Sequence, residues 1–378
     1  MTRQIRVLEV IYRAERAGTE TWLVGVLGHI DRSRASIDFL VHDPRPGAYD
    51  AEMIRRGARI FVSAGHRNLL RQIYQMWRIQ CRYGPYDVVH SHVDYYGGFV
   101  ALFARVLGVR ARVVHSHNDT RSVDRAAGLP RRVYACFMKT LVRLFSTAGL
   151  GTSAAAAALM FGDDWQQDSR WRVMPACADM APFAKPVQRR DVREGLRIPE
   201  DAIVFGHVGR FVEQKNHGFL IRVAEAIAKR EKRARFLLVG GGDLRPRIER
   251  FIRERSLSDR FIVLAPRDDV PDLMLGAMDF FLFPSLYEGL GLALVEAQAA
   301  GLRCFASTAV PREAIAVPSL VTRLPLSDGP KRWADAILRI ADTPAPISQA
   351  EALRAVRCRF DIDRSAEELV EFYRSVAS

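Results

Sequence analysis

Two carboxylates and two cations in the second half of the chain stand out by type and spacing. In FLFPSLYEGLGLALVEAQAAG (281–301), Glu288 and Glu296 lie eight positions apart. The segment reads as a strand, a Pro-Ser turn, a Gly-containing loop and a helix from about Leu292. Glu288 then belongs to the loop and Glu296 to the helix, up to ~12 Å further along its axis. A carboxylate accepts paired hydrogen bonds from a vicinal diol such as ribose or a hexose. The amides of Gly289, Leu290 and Gly291, at a helix start, favour an anionic diphosphate. Upstream, HVGRFVEQKNHGFLIRVAEAI (207–227) places Arg210 after a strand and Lys215 just before a helix. Such cations suit the two phosphates of a diphosphate, Arg as a fork and Lys as a point charge. Any one of these residues alone is more often a solvated surface group, and it is their combination that points to an elongated anionic ligand. The glycines of VGGGDL (239–244) let the backbone approach such a ligand, or simply turn the chain.

The first half offers weaker signals. RAGTET (16–21) follows an apolar strand and precedes a helix, so Gly18 and Thr19 can bring backbone amides near a phosphate, as can any strand-to-helix loop. VVHSH occurs at 88–92 and again at 113–117, placing His90, His92, His115 and His117 at two strand ends. In a strand, H-x-H projects both imidazoles to one face. No acidic or cysteine cluster accompanies them in the sequence, so no metal is assigned. One or two histidines are expected to face a ligand and the others to be hydrogen-bonded structural residues.

These residues need elements to position them. With 378 residues, 49% hydrophobic and 26% charged, the chain is globular in composition and long enough for two domains. Short apolar runs alternate with helical patterns in two series, the mark of parallel sheets built from strand-helix-strand units. The first series includes 5–11, 37–41, 59–62, 87–91 and 112–116, and the second 203–209, 235–240, 261–264, 279–285 and 303–307. Between them lies a segment rich in proline and charge, so the boundary is placed at Asp179, with domains 1–178 and 179–378. The last helix of the second domain is free to pack back on the first. An α/β fold of two doubly wound, Rossmann-like domains facing a central cleft would gather the motifs at the carboxyl ends of both sheets. No apolar run approaches the ~20 residues of a membrane span. The opening run is interrupted by Arg6 and Glu9, unlike a signal peptide, so a cytoplasmic protein is expected. The five cysteines, free of C-x-x-C spacing, are expected to be reduced and mostly buried.

Arg210, Lys215, PSLYEGLGLALVEAQAAG and the strand order resemble glycosyltransferase family 4 of the GT-B fold, particularly its bacterial exopolysaccharide branch, over nearly the whole chain. The resemblance implies a retaining, metal-independent transfer of a hexose-type sugar from a nucleotide diphosphate donor, most readily a UDP-sugar, to a growing exopolysaccharide or lipid-linked glycan. It implies that Glu288 contacts the donor sugar, that Glu296 holds the ribose, and that Arg210 and Lys215 hold the diphosphate. It further implies that His117 contacts the transferred sugar, that Gly18 lies beside the phosphate, and that Arg267 lies near the nucleobase. No cofactor is expected. The chain departs from the family pattern at Ala17, Ala176-Cys177 and Arg303. A GT-B epimerase or phosphorylase, and a non-catalytic scaffold of this fold, are the competing readings. The epimerase would act on donor alone, and the scaffold would not need all four of Glu288, Glu296, Arg210 and Lys215.

Residues 1–185 carry 26 Lys and Arg against 16 Asp and Glu, a surplus of +10 out of the net +13. No nucleic-acid-binding motif accompanies this charge. Residues 67–83, RNLLRQIYQMWRIQCRY, read as a helix with Leu69, Leu70, Ile73, Tyr74, Met76, Trp77 and Cys81 on an apolar side and Arg67, Arg71, Arg78 and Arg82 around it. Two outcomes are open: the apolar side packs on the sheet, or it meets anionic lipid, giving peripheral attachment to the inner membrane face.

Overall fold

The computed structural model describes residues 3–64 and 68–377. It forms two compact units, Met1–Ala178 with Ile362–Ser378, and Asp179–Asp361.

The first unit is built on strands β1 (Ile5–Ile11), β2 (Ala35–Val41), β3 (Ile60–Val62), β4 (Val88–Ser91), β5 (Ala111–Ser116), β6 (Ala148–Gly151) and β7 (Trp171–Val173). They pair in parallel in the order β3-β2-β1-β4-β5-β6-β7. The second unit has β8 (Ile203–Val208), β9 (Ala234–Val239), β10 (Phe261–Leu264), β11 (Phe280–Phe283), β12 (Arg303–Ser307) and β13 (Val321–Leu324), in the order β10-β9-β8-β11-β12-β13. Both sheets are covered by helices on their two faces, which is why their strands are near-continuous runs of Val, Ile, Leu and Phe. In both, the chain reverses direction across the sheet beside its first strand, between β1 and β4 and between β8 and β11. Open parallel sheets bind ligands just beyond the carboxyl ends at such a switch point.

The C-terminal helix Ile362–Ala377 belongs to the first unit. It packs on the helix Gly18–His29, with Trp22 donating from Nε1 to Ser365 Oγ at 3.0 Å. The segment entering the second unit is anchored by the buried Arg193, which donates to Asp279 Oδ2 at 2.7 Å and to the carbonyl of Ala202 at 2.9 Å.

Two expectations need correction. The basic aromatic helix spans Leu69–Tyr83, with Arg67 outside the described residues, and its buried side is Gln72, Met76 and Ile79. Leu70, Tyr74 and Trp77 stay exposed, because the sheet accepts only a narrow stripe and Gln72 is satisfied there by Ser63, donating to its carbonyl at 3.1 Å. All five cysteines are free, but Cys81, Cys136 and Cys358 are exposed and only Cys177 and Cys304 are buried. Among the described residues no helix is long and apolar enough to cross a membrane.

Candidate active site

The switch point of the second sheet brings together the two motifs that the sequence holds more than 70 positions apart. After β8 the chain makes a short turn, Glu213–Lys215, and enters the helix His217–Ala228 through Asn216 in a left-handed conformation, φ 53°. After β11 it runs from Pro284 to Gly291 and enters the helix Leu292–Ala299. The two loops are stitched together by backbone and amide groups. Leu286 N–H donates to the Gln214 carbonyl at 2.8 Å, Gln214 Nε2 donates to the Tyr287 carbonyl at 3.1 Å, and Asn216 Nδ2 donates to the Pro284 carbonyl at 3.1 Å.

Inside this frame Lys215 Nζ donates to Glu288 Oε1 at 2.5 Å and lies 4.7 Å from the centre of the Phe283 ring. The pair is nearly dry, with side-chain exposures of 13% and 6%. Arg210, just beyond β8, is exposed, and its guanidinium makes no hydrogen bond or ion pair among the described residues. It is a cation free to take an anion. Arg267 instead forms a bidentate pair with Asp269, which raises its pKa, so it reaches a ligand only as part of that pair.

The amides of Gly289, Leu290 and Gly291 meet no backbone carbonyl among the described residues, so they stand open at a helix N-terminus. Gly291 has φ 93°, and a Cβ there would lie 2.9 Å from the Phe283 ring, so only glycine lets the chain turn tightly into this helix. The run at 240–242 has a structural explanation: a Cβ on Gly240, φ 155°, would sit 2.0 Å from the Gly209 carbonyl, against which the loop packs. Glu296 lies one turn into the helix, half-buried, its carboxyl without a hydrogen bond or ion pair among the described residues, and burial pushes that carboxyl up to about 7. An unpaired carboxyl in such a place is poised to accept hydrogen bonds that the protein does not supply. Beneath Lys215, His207 and His217 are buried, and burial lowers them to about 4 and about 2, so both are neutral.

In the first unit Gly18 is the first residue of its helix, and Ala17 before it provides no side-chain cap, leaving the first amides open. The four histidines are all buried, His117 at 9% exposure being the least so. Glu9, on β1, lies within the same cluster, with His92 Nε2 2.7 Å from its Oε2 and Tyr373 OH donating to its Oε1 at 2.5 Å. His92 Nδ1 is 2.7 Å from His117 Nε2. His115 lies beside the Met174 backbone, which interacts with its ring, and is held by packing, 4.1 Å from the His117 ring and 5.4 Å from Trp22. Nitrogens of His90, His92 and His115 lie within 4.8 Å of one another, the spread of a metal site. However, both His92 nitrogens are hydrogen-bonded, and the His90 and His92 ring centres are only 4.1 Å apart. Sequence reasoning missed Glu9, Gln214, Asn216 and Tyr373. An acid inside the apolar run IRVLEVI was the available signal for the first.

Residues 202–343, which contain this site, match the family described as "Glycosyl transferases group 1". Over 373 residues the chain is 34% identical to "Putative glycosyltransferase EpsF" of Bacillus subtilis (strain 168), covering 98% of this chain and 96% of that protein. The chain belongs to the group 1 glycosyl transferases. It is also 28% identical over 226 residues, 59% of this chain and 58% of that protein, to an Escherichia coli enzyme named UDP-Gal:alpha-D-GlcNAc-diphosphoundecaprenol alpha-1,3-galactosyltransferase. The structure of Anabaena HepE in complex with UDP-glucose superposes with TM-score 0.80 at 18% identity, covering 98% of this chain and all of that one. The fold of this glycosyltransferase is GT-B, with two Rossmann-like parallel-sheet domains.

Proposed function

We propose that this glycosyltransferase is a retaining, metal-independent hexosyltransferase of family 4, using a UDP-sugar to extend an exopolysaccharide or lipid-linked glycan. The observation that carries the reading is the dry Lys215–Glu288 pair beside the free Arg210 and the open amides of Gly289 to Gly291. Cleavage of the donor bond places negative charge on the departing diphosphate. Cations and amides already aimed at those oxygens stabilise that charge more than the ground state. Glu288 would accept from the donor sugar's hydroxyls while keeping Lys215 in register, and Glu296 would accept from the ribose. Gly18 and His117 keep the roles that the resemblance implies, at the phosphate and at the transferred sugar. Arg267 is assigned to the nucleobase as one half of its pair with Asp269. Two of the comparisons favour UDP, since HepE was crystallised with UDP-glucose and the E. coli relative is named for UDP-Gal. The lipid diphosphate in that second name favours a lipid-linked acceptor.

A panel of UDP-, GDP- and ADP-sugars read by thermal shift is expected to show the largest stabilisation with a UDP-sugar. Transfer is expected to survive EDTA. Loss on chelation with rescue by magnesium or manganese would overturn metal independence, and interconversion of the donor sugar without acceptor would favour an epimerase.

Glu296 adds a pH signature. Ribose hydroxyls donate to the ionised carboxylate, so donor binding should favour deprotonation of a group that titrates near 7. Affinity for a nucleotide-sugar, whose diphosphate does not titrate in this range, is expected to rise about 10-fold between pH ~6 and pH ~8. Glu296→Gln should flatten the profile. The effect on stability has the opposite sign, because a carboxyl raised from 4.5 to about 7 contributes fully below the lower value and loses that contribution as pH rises through the upper. Equal pH slopes by calorimetry for both proteins would remove Glu296 from the ribose.

A further inference from the structure

We propose that Glu9 and His92 are positioning residues that lock His117 into a single tautomer, with Nε2 protonated and Nδ1 presented as a hydrogen-bond acceptor to a sugar hydroxyl. The inference rests on the reading of His117 as a sugar contact and adds which of its atoms does the contacting.

The chain of hydrogen bonds has a direction, set at Glu9. This carboxylate is fully buried in the middle of β1, and three groups converge on it. Tyr373 OH donates to Oε1 at 2.5 Å, His92 Nε2 stands 2.7 Å from Oε2, and His90 Nδ1 stands 3.2 Å from Oε2. Burial alone would raise the Glu9 carboxyl, but the attraction and hydrogen bonds of His90 and His92 outweigh it and hold it well below its usual range. An ionised carboxylate only accepts. His92 must therefore carry its proton on Nε2. Burial, with His90 beside it, lowers His92 to about 4, so the ring is neutral and its Nδ1 is a lone pair. That lone pair lies 2.7 Å from His117 Nε2, which must then be the donor. His117 is itself neutral, held well below its usual pKa by burial and by the neighbouring His92 and His90. Its remaining nitrogen, Nδ1, is therefore unprotonated.

Packing fixes the ring planes as the hydrogen bonds fix the protons. His92 and His117 stack at 5.0 Å and 30°, and Trp22 meets both rings at 6.2 and 6.5 Å. The arrangement runs from a dry acid to the most accessible histidine of the four, at the carboxyl end of β5. An acceptor nitrogen held this way distinguishes a sugar hydroxyl, which donates, from a group that only accepts. A histidine free to change tautomer cannot do so.

Long-range proton–nitrogen NMR of the histidine-labelled protein reads the tautomer directly, with His117 assigned by its loss in His117→Gln. The Nε2–H form is expected for His117 in the wild type. In Glu9→Gln the carboxamide donates to His92, the chain reverses, and His117 should appear as the Nδ1–H form. Its kcat should fall about 10- to 100-fold, while affinity for UDP stays within about 2-fold. Tyr373→Phe removes one support of Glu9 without interrupting the Glu9–His92–His117 chain and should keep the wild-type tautomer. An Nδ1–H form in the wild type overturns the proposal even if Glu9→Gln fails to fold. Wild-type turnover in a Glu9→Gln protein whose tautomer has reversed overturns the assigned contact. Because the tautomer is measured without substrate, its outcome stands apart from whether the sugar-transfer reading holds.

Discussion

Arg210→Ala is expected to lower kcat/KM by about 100- to 1000-fold with no measurable change in melting temperature, and Lys215→Ala by at least as much with a marked loss of stability. The difference follows from the surroundings of each charge. The Arg210 guanidinium is exposed and without a partner among the described residues, so removing it strands no other group in the folded protein. What is lost is stabilisation of the diphosphate as charge develops on it, and one well-placed donor to such a charge contributes about 3–4 kcal/mol. Lys215 instead neutralises Glu288 in a place from which water is largely excluded, with side-chain exposures of 13% and 6%. Truncating one member of a buried pair strands the other and costs about 3–5 kcal/mol of folding free energy. A double variant, Lys215→Met with Glu288→Gln, removes both charges at near-constant volume. It should recover most of the stability while remaining inactive. Wild-type kcat/KM in Arg210→Ala, measured at subsaturating donor, would show that the diphosphate is held elsewhere.

The same contrast explains what could be read from the sequence. The motif residues announce themselves because their chemistry is unusual for their position: two acids flanking a helix start, and two cations after a strand. Their mutual geometry was not legible, since the contact between Lys215 and Glu288 depends on β8 and β11 being neighbours across the switch point. Strands β1 to β5 and β8 to β12 are mostly apolar runs, rich in Val, Ile, Leu or Phe, and stood out. Strand β6, AGLG, has no β-branched residue because its face must be flat: a Cβ on Gly149 would lie 2.5 Å from the Phe161 ring, which stacks on Trp171 at 4.4 Å. Strands β7, WRV, and β13, VTRL, each carry an arginine within a short run, which breaks the apolar pattern. The role of Glu9 was hidden for a different reason. Its partners His92 and Tyr373 are 83 and 364 positions away, and Tyr373 reaches it only because the last helix returns to the first unit.

Charge reversal at two arginines of the helix Leu69–Tyr83 is expected to abolish attachment to anionic membranes. This helix turns Leu70, Tyr74 and Trp77 to solvent at 82%, 54% and 49% exposure, with Arg71, Arg78 and Arg82 exposed among them. A second helix, Leu129–Phe145, leaves Leu129, Val133, Phe137 and Leu144 exposed beside Arg132 and Arg143. Both pack against the helix Gly97–Val106, so they are members of one helix layer on the half of the chain that carries the +10 surplus. Isolated exposed apolar residues need no explanation, but two helices each mixing aromatic or aliphatic side chains with arginine match a surface that inserts shallowly among lipid headgroups. Each basic residue near an anionic leaflet contributes about 1 kcal/mol, so Arg71→Glu with Arg78→Glu, a change of four charges, should weaken binding about 1000-fold. The wild type is expected to sediment with vesicles containing phosphatidylserine or phosphatidylglycerol, to be released by salt as screening shortens the reach of those charges, and to ignore neutral vesicles. Nucleotide affinity, which the proposed function assigns to residues of the second unit, should be unchanged in the variant. Equal sedimentation with neutral vesicles would make the attraction purely apolar. Sedimentation with neither would leave a water-soluble acceptor as the substrate to seek.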